Sequence, residues 1–214
     1  MSYPKYGEMP RTCRDVSDSV SLPHVPSIIY YDFTSVESCV VNEIAQGLMT
    51  ADALAWRGVQ VAPTLPVPAM ILERRARERL EIEIQDAVRV LPQLKAKLPT
   101  RLPNTRAALQ AVASVERMHR MRADAFRTAL FRAYWERDVD ISDRIAIIEI
   151  ASDSGVPPWV EYDHQAAQAA QVSWELDWQA ARLGGVPRVI RSDGQILWTV
   201  KDAAAVQAFL SHSP

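Results

Sequence analysis

The chain has 214 residues and a net charge of −2, with 48% hydrophobic and 23% charged residues. This length suits one sizeable domain, or one domain with a large insertion, since a domain usually takes about 100 to 200 residues. The charge balance favours neither nucleic acid nor a membrane surface as a partner, and two cysteines, Cys13 and Cys39, are too few for a disulfide framework.

The N-terminal residues 1–26 are rich in Pro, Ser and charge and follow no regular period, which predicts an extended arm. The first residues lack the apolar core of a signal peptide. The chain also has no run of about 18 apolar residues that would cross a membrane. Together with the low cysteine count, these features predict a reduced, cytoplasmic protein.

The first regular elements are a strand, a helix and a second strand. An apolar, β-rich run predicts a strand over 27–33, bounded by Pro26 and a polar turn. Apolar residues at helical spacing predict a helix over 35–50, and a second strand follows over 53–61. The proline-rich segment 63–68 ends it. A strand, helix and strand in this order predict a parallel pair with a crossover.

Residues 69 to about 153 show helical periodicity throughout, which predicts four helices in succession. Pro92 ends the first, Asn104-Thr105 caps the second, and Ser142-Asp143 precedes the fourth. The apolar stripes of the four helices are Leu72, Ala76, Leu80, Ile84, Val88 and Leu91; Ala108, Leu109, Val112, Val115 and Met118; Phe126, Leu130, Ala133 and Tyr134; and Ile145, Ile148 and Ala151.

The C-terminal part predicts a helix, a hairpin and a last helix. The first helix runs over about 164–183 and ends at Gly184-Gly185, a usual C-terminal signal. Residues 186–191 and 195–198 predict two strands joined by an Asp-Gly turn. Asp202 caps the last helix, which ends near Leu210.

Two segments far apart in the chain carry a resemblance to a known family. The first runs Asp32-Phe33-Thr34-Ser35-Val36-Glu37-Ser38 after the first strand, and the second is Gly185-Val186-Pro187. They resemble the DsbA superfamily, whose pattern is Asp-Phe-x-Cys-Pro-x-Cys after the first strand and Gly-Val-Pro before the third. The phrases Trp56-Arg57, Asn104-Thr105-Arg106-Ala107-Ala108, Leu130-Phe131-Arg132-Ala133-Tyr134 and Asp140-Ile141-Ser142-Asp143 are similar to one branch of it.

The resemblance covers residues 27–212 and implies an α/β chain: a thioredoxin-like fold with a large all-helical insertion. The implied domains are the arm 1–26, a thioredoxin-like domain from 27–68 and 159–214, and an insertion domain over 69–158. Here Ser35 and Ser38 occupy both cysteine positions, and Val36 replaces the proline. Conventional dithiol exchange needs two cysteines within reach of one another, so the sequence rejects that activity.

A serine at the first cysteine position implies a thiol-binding role. Kappa-class glutathione transferases and hydroxychromene carboxylate isomerases, within the same superfamily, are known for a serine there. A helix N-terminus stabilises an anion, and a hydroxyl donates a hydrogen bond to a thiolate. By resemblance, Ser35 holds the sulfur of glutathione or another low-molecular-weight thiol.

The second implied binding element is the segment Val186-Pro187-Arg188. In thioredoxin folds this proline is typically cis, and the residue before it, here Val186, presents its N–H and C=O to an extended peptide or to the cysteinyl part of glutathione. The family more often has Thr where Arg188 stands. Arg188 either reaches a carboxylate in the groove or lies on the sheet surface.

Other interpretations of the same residues stay open. Thr34-Ser35-Val36-Glu37 fits a capping box with Thr34 as the cap and Glu37 reaching back, so these residues would only start a helix. Cys39 is either a single reactive thiol beside Ser38 or an inert small apolar residue. Neither histidines nor cysteines have metal-ligand spacing, so no metal is expected.

Three functions remain. The first is a non-redox isomerase or glutathione-transferase-type enzyme acting on a small organic substrate, with Ser35 and Ser38 at the reacting centre. The second is a catalytically silent thioredoxin-fold binding protein, and the third is a single-thiol redox protein using Cys39. In the basic run Arg74–Arg79 acidic residues are interleaved, which is typical of a solvated helix face and not of a nucleic-acid site. Exposed apolar surface on the insertion would support a homodimer.

Overall fold

The computed structural model describes residues 26–48, 54–157 and 164–211. Residues 1–25 of the arm predicted over 1–26, with Cys13, and the segments 49–53, 158–163 and 212–214 lie outside the described residues. Among the helices of the described ranges, none combines the length and the apolar character that crossing a bilayer requires.

The first half of the fold is the predicted strand, helix and strand. Strand β1 is Ser27–Tyr31, helix α1 is Val36–Gln46 and strand β2 is Leu54–Gly58. The two strands are parallel, with Ile29 opposite Trp56. Both ends of α1 are shorter than predicted, because Ser35 stands outside the helix as its cap and Gly47 ends it.

Over residues 69–157, the described part of the predicted helical segment, the chain forms one small antiparallel ladder and the helices α2 (Arg74–Val90), α3 (Arg106–Arg137) and α4 (Arg144–Asp153). Strands β3 (Met70–Ile71) and β4 (Arg101–Leu102) pair with each other, and helix α2 lies between them in the chain. The predicted second and third helices are the two helical segments of α3, which meet at a kink at His119, where the backbone leaves the helical conformation.

Three residues of the predicted second and fourth apolar stripes are exposed, and the other residues of these two stripes are buried as predicted. Met118 is 46% exposed, since it precedes the kink at His119 and points away from the core. In α4 the side chains of Ile145 and Ile148 are exposed, whereas the predicted Ala151 is buried together with Ile147 and Ile150. Helix α4 has apolar residues all round it, so periodicity alone could not choose the buried face.

The last elements match the predicted order. Helix α5 is His164–Ala180, strands β5 (Arg188–Ile190) and β6 (Ile196–Leu197) form the hairpin, and helix α6 is Ala203–Ser211. The sheet order is β2-β1-β5-β6, with β5 antiparallel to β1. The α/β class with a large helical region between the two halves of the sheet is confirmed.

One core joins the sheet to the inserted helices. The ring of Phe33, just after β1, lies 4.8 Å from the ring of Phe131 of α3. The indole Nε1 of Trp135 donates a hydrogen bond to the Phe33 carbonyl over 2.9 Å. Because α3 packs in this way against the end of β1, it fixes the turn that leads into α1. The domain bounds stay a prediction.

A buried arginine ties α1 to α3 beneath that turn. The guanidinium of Arg127 is 3.7 Å from the centre of the Trp56 ring. Its Nε donates to the Asn42 Oδ1 of α1 over 3.0 Å, and its Nη2 pairs with Asp124 over 2.8 Å. A buried cation is tolerated when it is paired and hydrogen-bonded in this way. The network therefore fixes α1, whose first residues form the candidate site, against the insertion.

Candidate functional site

The helix α1 begins at a serine cap. Ser35 has extended backbone angles, and its Oγ accepts a hydrogen bond from the Ser38 amide over 3.1 Å. The predicted capping box, with Thr34 as cap, is therefore wrong by one residue. The Thr34 hydroxyl donates instead to the carboxylate of Asp32. The Ser35 hydroxyl stands at the end of the helix where backbone N–H groups favour negative charge.

The same hydroxyl contacts the loop before β5. Ser35 Oγ donates to the carbonyl oxygen of Val186 over 3.2 Å, although 151 residues separate the two in the chain. The Val186–Pro187 peptide bond is cis. Thus the structure brings together three of the predicted site residues, Ser35, Val186 and Pro187.

An open cavity of about 420 Å³ adjoins this contact, and we call it the Ser35 cavity. Ser35 and Val186 form part of its lining, and α2 supplies the facing wall with Glu83 and Asp86. Glu37, in the first turn of α1, is also a lining residue. The volume lies within the range of small-molecule sites in proteins.

The Ser35 cavity has an acidic wall opposite the helix N-terminus. Partial burial raises the pKa of Glu37; the cation of Arg188 lowers it, and the carboxylates of Glu83 and Asp86 raise it. Arg89 forms an ion pair with Asp86 on α2. No lysine or arginine is found among the described residues that line the cavity. The cavity therefore combines a positive backbone dipole with three nearby carboxylates.

Arg188 holds the loop rather than lining the cavity. Its Nε donates to the Leu183 carbonyl over 2.8 Å, and its Nη1 donates to the Pro187 carbonyl over 2.7 Å. The guanidinium also lies 5.4 Å from the centre of the Trp198 ring. Burial lowers its pKa, and Glu37 raises it. These contacts fix the loop that carries the Val186 carbonyl.

Ser38, unlike Ser35, does not line the Ser35 cavity. Its side chain is fully buried, and its Oγ has no hydrogen-bond partner among the described residues. Only its backbone amide contributes, by donating to Ser35 Oγ. The structure therefore places the hydroxyl at the second cysteine position in the protein interior.

Cys39 lies at a different, smaller cavity of about 190 Å³, which Glu43, Arg132 and Trp135 also line. The residue is only 2% exposed. Burial raises the pKa of its thiol, and the carboxylates of Glu43 and Glu136 raise it further, whereas Arg132 lowers it. A thiol needs a lowered pKa to be an effective nucleophile at neutral pH, so these surroundings oppose a redox role.

We expect the Cys39 thiol to resist alkylation in the folded protein. In a Cys13→Ser background, iodoacetamide at pH 8 should modify folded protein at least about one hundredfold more slowly than protein unfolded in denaturant, because the buried thiol stays protonated. Mass spectrometry of the alkylated protein gives both rates. Equal rates would restore the single-thiol redox hypothesis.

Asp32 is a site residue that the sequence did not single out. Its carboxylate is buried at the end of β1 and accepts hydrogen bonds from the amides of Thr34 and Val61 over 3.0 and 2.8 Å. Thr105, the residue before α3, donates to it over 3.3 Å. Burial raises its pKa, and these hydrogen bonds lower it. The available signal was a lone acid at the end of an apolar strand, within the Asp-Phe of the family pattern.

No protein-family model matches this chain, and no curated protein matches it. Solved structures do. The chain is similar to the cytosolic disulfide reductase DsbM from Pseudomonas aeruginosa with GSH, at 14% identity and a TM-score of 0.67, covering 87% of this chain and 97% of that one. It is also similar to 2-hydroxychromene-2-carboxylate isomerase, at 15% identity and a TM-score of 0.64, covering 87% and 94%.

A third similar structure is described as a protein disulfide isomerase from Nitrosomonas europaea, at 14% identity and a TM-score of 0.65, covering 86% of this chain and 96% of that one. At these identities the likeness shows the fold. The chain has a DsbA-like thioredoxin fold with a large helical region, as the two short motifs predict.

Proposed function

We propose that the chain is a DsbA-like thioredoxin-fold enzyme that binds glutathione or another low-molecular-weight thiol at Ser35 and catalyses a non-redox isomerisation or thiol transfer on a small organic substrate. The observation that carries this proposal is the hydrogen bond from Ser35 Oγ to the Val186 carbonyl at the start of α1, beside a cavity. Among the similar folds are an isomerase and a reductase that was solved with GSH, and both support the proposal.

The contact between Ser35 and Val186 suits a cysteinyl ligand. Such a ligand carries a thiolate and a backbone N–H only a few atoms apart. Its N–H would donate to the Val186 carbonyl, and the Ser35 hydroxyl would turn to donate to the thiolate, so that one internal hydrogen bond is exchanged for two. Ser35 Oγ would keep its bond from the Ser38 amide. The N-terminus of α1 would add further stabilisation to the sulfur anion.

A thiolate held in this way supports chemistry without a change of oxidation state. It adds to a conjugated double bond and leaves again after rotation, which isomerises the substrate, or it displaces a leaving group and stays on the product. Neither route requires a second thiol in the protein. Serines at positions 35 and 38 and a buried Cys39 are therefore compatible with both routes. A reduced compartment such as the cytoplasm would supply the thiol.

Isothermal titration calorimetry with reduced glutathione tests the proposal. Saturable binding of one molecule per chain supports it. A folded protein that binds neither glutathione nor smaller thiols such as cysteine would contradict it and favour a catalytically silent binding protein.

The acidic wall should weaken the binding of an anionic thiol. We expect Glu83→Gln to bind glutathione about threefold more tightly than the unchanged protein, since two like charges about 8 Å apart repel by about 0.7 kcal/mol at an effective dielectric constant of about 60. The same titration measures the effect.

The matched control for this charge change is Glu81→Gln. Glu81 is exposed on the same helix but does not line the Ser35 cavity. Its affinity for glutathione should stay unchanged. An equal gain in both variants would assign the effect to the overall charge of α2, and no gain in Glu83→Gln would place the ligand away from this wall.

A further inference from the structure

A second cavity, of about 830 Å³, lies where the loop before β3, the strand β4 and the first residues of α3 and α4 meet. Three arginines line it, Arg101, Arg106 and Arg144, and we call it the arginine cavity. None of the described residues that line it also lines the Ser35 cavity. It is therefore a separate site.

The three guanidinium groups have few partners in the protein. Within the described ranges, no carboxylate oxygen lies within 4 Å of any of them. Arg106 uses its Nε on the Gln60 side chain over 3.2 Å. The exposed side chains of Arg101 and Arg144 form no such bond among the hydrogen bonds that the structure describes. Most of the planar donor groups that match a phosphate remain available.

Two carboxylates also line the arginine cavity, but each has an internal role. Asp140 accepts bonds from the Ser142 amide over 2.9 Å and from the Ala69 amide over 3.1 Å. Burial raises its pKa, and these bonds together with Arg101 lower it, so that the net pKa is lowered. Asp143 caps α4 by accepting from the Ile145 amide over 2.9 Å. With three guanidinium groups and two carboxylates, the residues that line the arginine cavity carry a net charge of +1.

The positions of two arginines oppose the local helix dipoles. Arg106 is the first residue of α3 and Arg144 the first residue of α4, and neither helix has an acidic residue in its first turn. The N-terminus of a helix is its positive end, where a cation is unfavourable and an anion is favourable. Locally unfavourable choices of this kind concentrate at functional sites. Asp143 already supplies a carboxylate at the N-terminus of α4. A bound anion would compensate the N-terminus of α3, whose cap residue Thr105 makes no side-chain hydrogen bond to the helix, and the charge of the two arginines.

We propose that the arginine cavity binds the phosphate group of a small phosphorylated molecule. Guanidinium groups bind phosphate oxygens in pairs, and two helix N-termini at the same cavity favour the same negative charge. The cavity volume exceeds that of one phosphate group, which leaves room for a second phosphate or an organic part of the ligand. This inference stands independently of the thiol proposed for the Ser35 cavity.

Titration calorimetry with inorganic pyrophosphate at low ionic strength tests the proposal on the full chain. The unchanged protein should bind one pyrophosphate saturably. Arg144→Gln and Arg101→Gln should each weaken binding about tenfold or more. The matched control is Arg75→Gln, which removes an exposed arginine from α2 and should leave the affinity unchanged. Equal weakening in the control, or binding that does not saturate, would show that pyrophosphate is held only by non-specific electrostatic attraction, and the proposal would be overturned.

Thermal unfolding separates a binding role from a structural one. Without pyrophosphate, Arg144→Gln should unfold at the same temperature as the unchanged protein or at a higher one, because it removes a cation from the N-terminus of α4. With saturating pyrophosphate, the unchanged protein should gain more in unfolding temperature than the variant. A variant that unfolds at a lower temperature without the ligand would show that Arg144 stabilises the fold itself, and the proposal would fail.

Discussion

Replacing Ser35 with alanine should weaken the binding of reduced glutathione by about one hundredfold, to the limit of detection by titration calorimetry. The variant removes the hydroxyl that would donate to the thiolate, and a hydrogen bond to a charged group contributes about 1.5 to 3 kcal/mol. It also removes the contact with the Val186 carbonyl. Because the ligand would displace that contact, its loss does not itself weaken binding, and the expected effect comes from the missing donor to the thiolate.

The same variant should lose stability, because Ser35 is also the cap of α1. Loss of a serine cap to alanine costs about 1 kcal/mol. Stability and binding must therefore be separated, and the glycine variant does so. Glycine is an acceptable cap that costs only a few tenths of a kcal/mol relative to serine. Ser35→Gly should lose glutathione binding as fully as Ser35→Ala while unfolding at a higher denaturant concentration.

Normal glutathione affinity in both variants would contradict the thiol proposal. Ser35 would then act only as a helix cap and as a link to the loop before β5. The catalytically silent binding protein would become the better interpretation. Ser35→Thr gives a further check, since threonine keeps both the hydroxyl and the capping function and should retain most of the binding.

Local signals in the sequence were sufficient for the order of elements. Asp193-Gly194 predicts the hairpin turn, and Gly194 does have a positive φ of 84°. Asp202 predicts the start of the last helix, and its carboxylate accepts from the Ala205 amide over 2.7 Å. Each of these features depends on residues within a few positions, so a single sequence contains the information needed.

The start of α1 shows where local signals stop being sufficient. Thr and Ser are both good helix caps, so the sequence alone does not decide whether Thr34 or Ser35 caps α1. One local contact and one distant contact distinguish them in the structure. Buried Asp32 takes the Thr34 hydroxyl, and the Val186 carbonyl accepts from Ser35. The resemblance to a family singles out Ser35 as a site residue, which stays a prediction, and the capping pattern alone places the cap one residue early.

The acidic wall of the Ser35 cavity was equally impossible to predict from the sequence. Glu83 and Asp86 belong to α2, and their exposed positions look like an ordinary solvated helix face in the sequence. Only the packing of α2 against α1 brings them opposite Glu37. For the same reason the arginine cavity combines residues from β4, α3 and α4 that share no motif.

Replacing Asp32 with alanine should reduce the free energy of unfolding by about 3 kcal/mol and weaken glutathione binding at least tenfold. The variant leaves the amides of Thr34 and Val61 and the Thr105 hydroxyl without their acceptor, and each buried donor left unsatisfied costs about 1 to 3 kcal/mol. The charge of Asp32 is itself unfavourable in a buried position, so the net loss is smaller than the sum.

Binding should suffer because Asp32 positions two parts of the site. It fixes Thr34, next to the cap of α1, and Val61, which lines the Ser35 cavity. Chemical denaturation gives the change in stability, and titration calorimetry with glutathione gives the change in affinity. The control is Asp153→Ala, an exposed residue at the end of α4, which should change neither quantity. Unchanged stability in Asp32→Ala would mean that the Val61 amide and the Thr105 hydroxyl find other hydrogen-bond acceptors.

The asparagine variant tests the charge of the same side chain. Burial raises the pKa of Asp32 above its ordinary value in spite of its hydrogen bonds. A carboxyl group with a raised pKa in the folded state contributes its full stability below about pH 4 and loses it as the pH rises through the raised value. Asp32→Asn cannot ionise, so the stability that the unchanged protein holds over this variant should shrink between pH 4 and pH 7. Denaturation curves at a series of pH values measure the difference, and an advantage that grew with pH would mean that the four hydrogen-bond donors outweigh burial and favour the carboxylate.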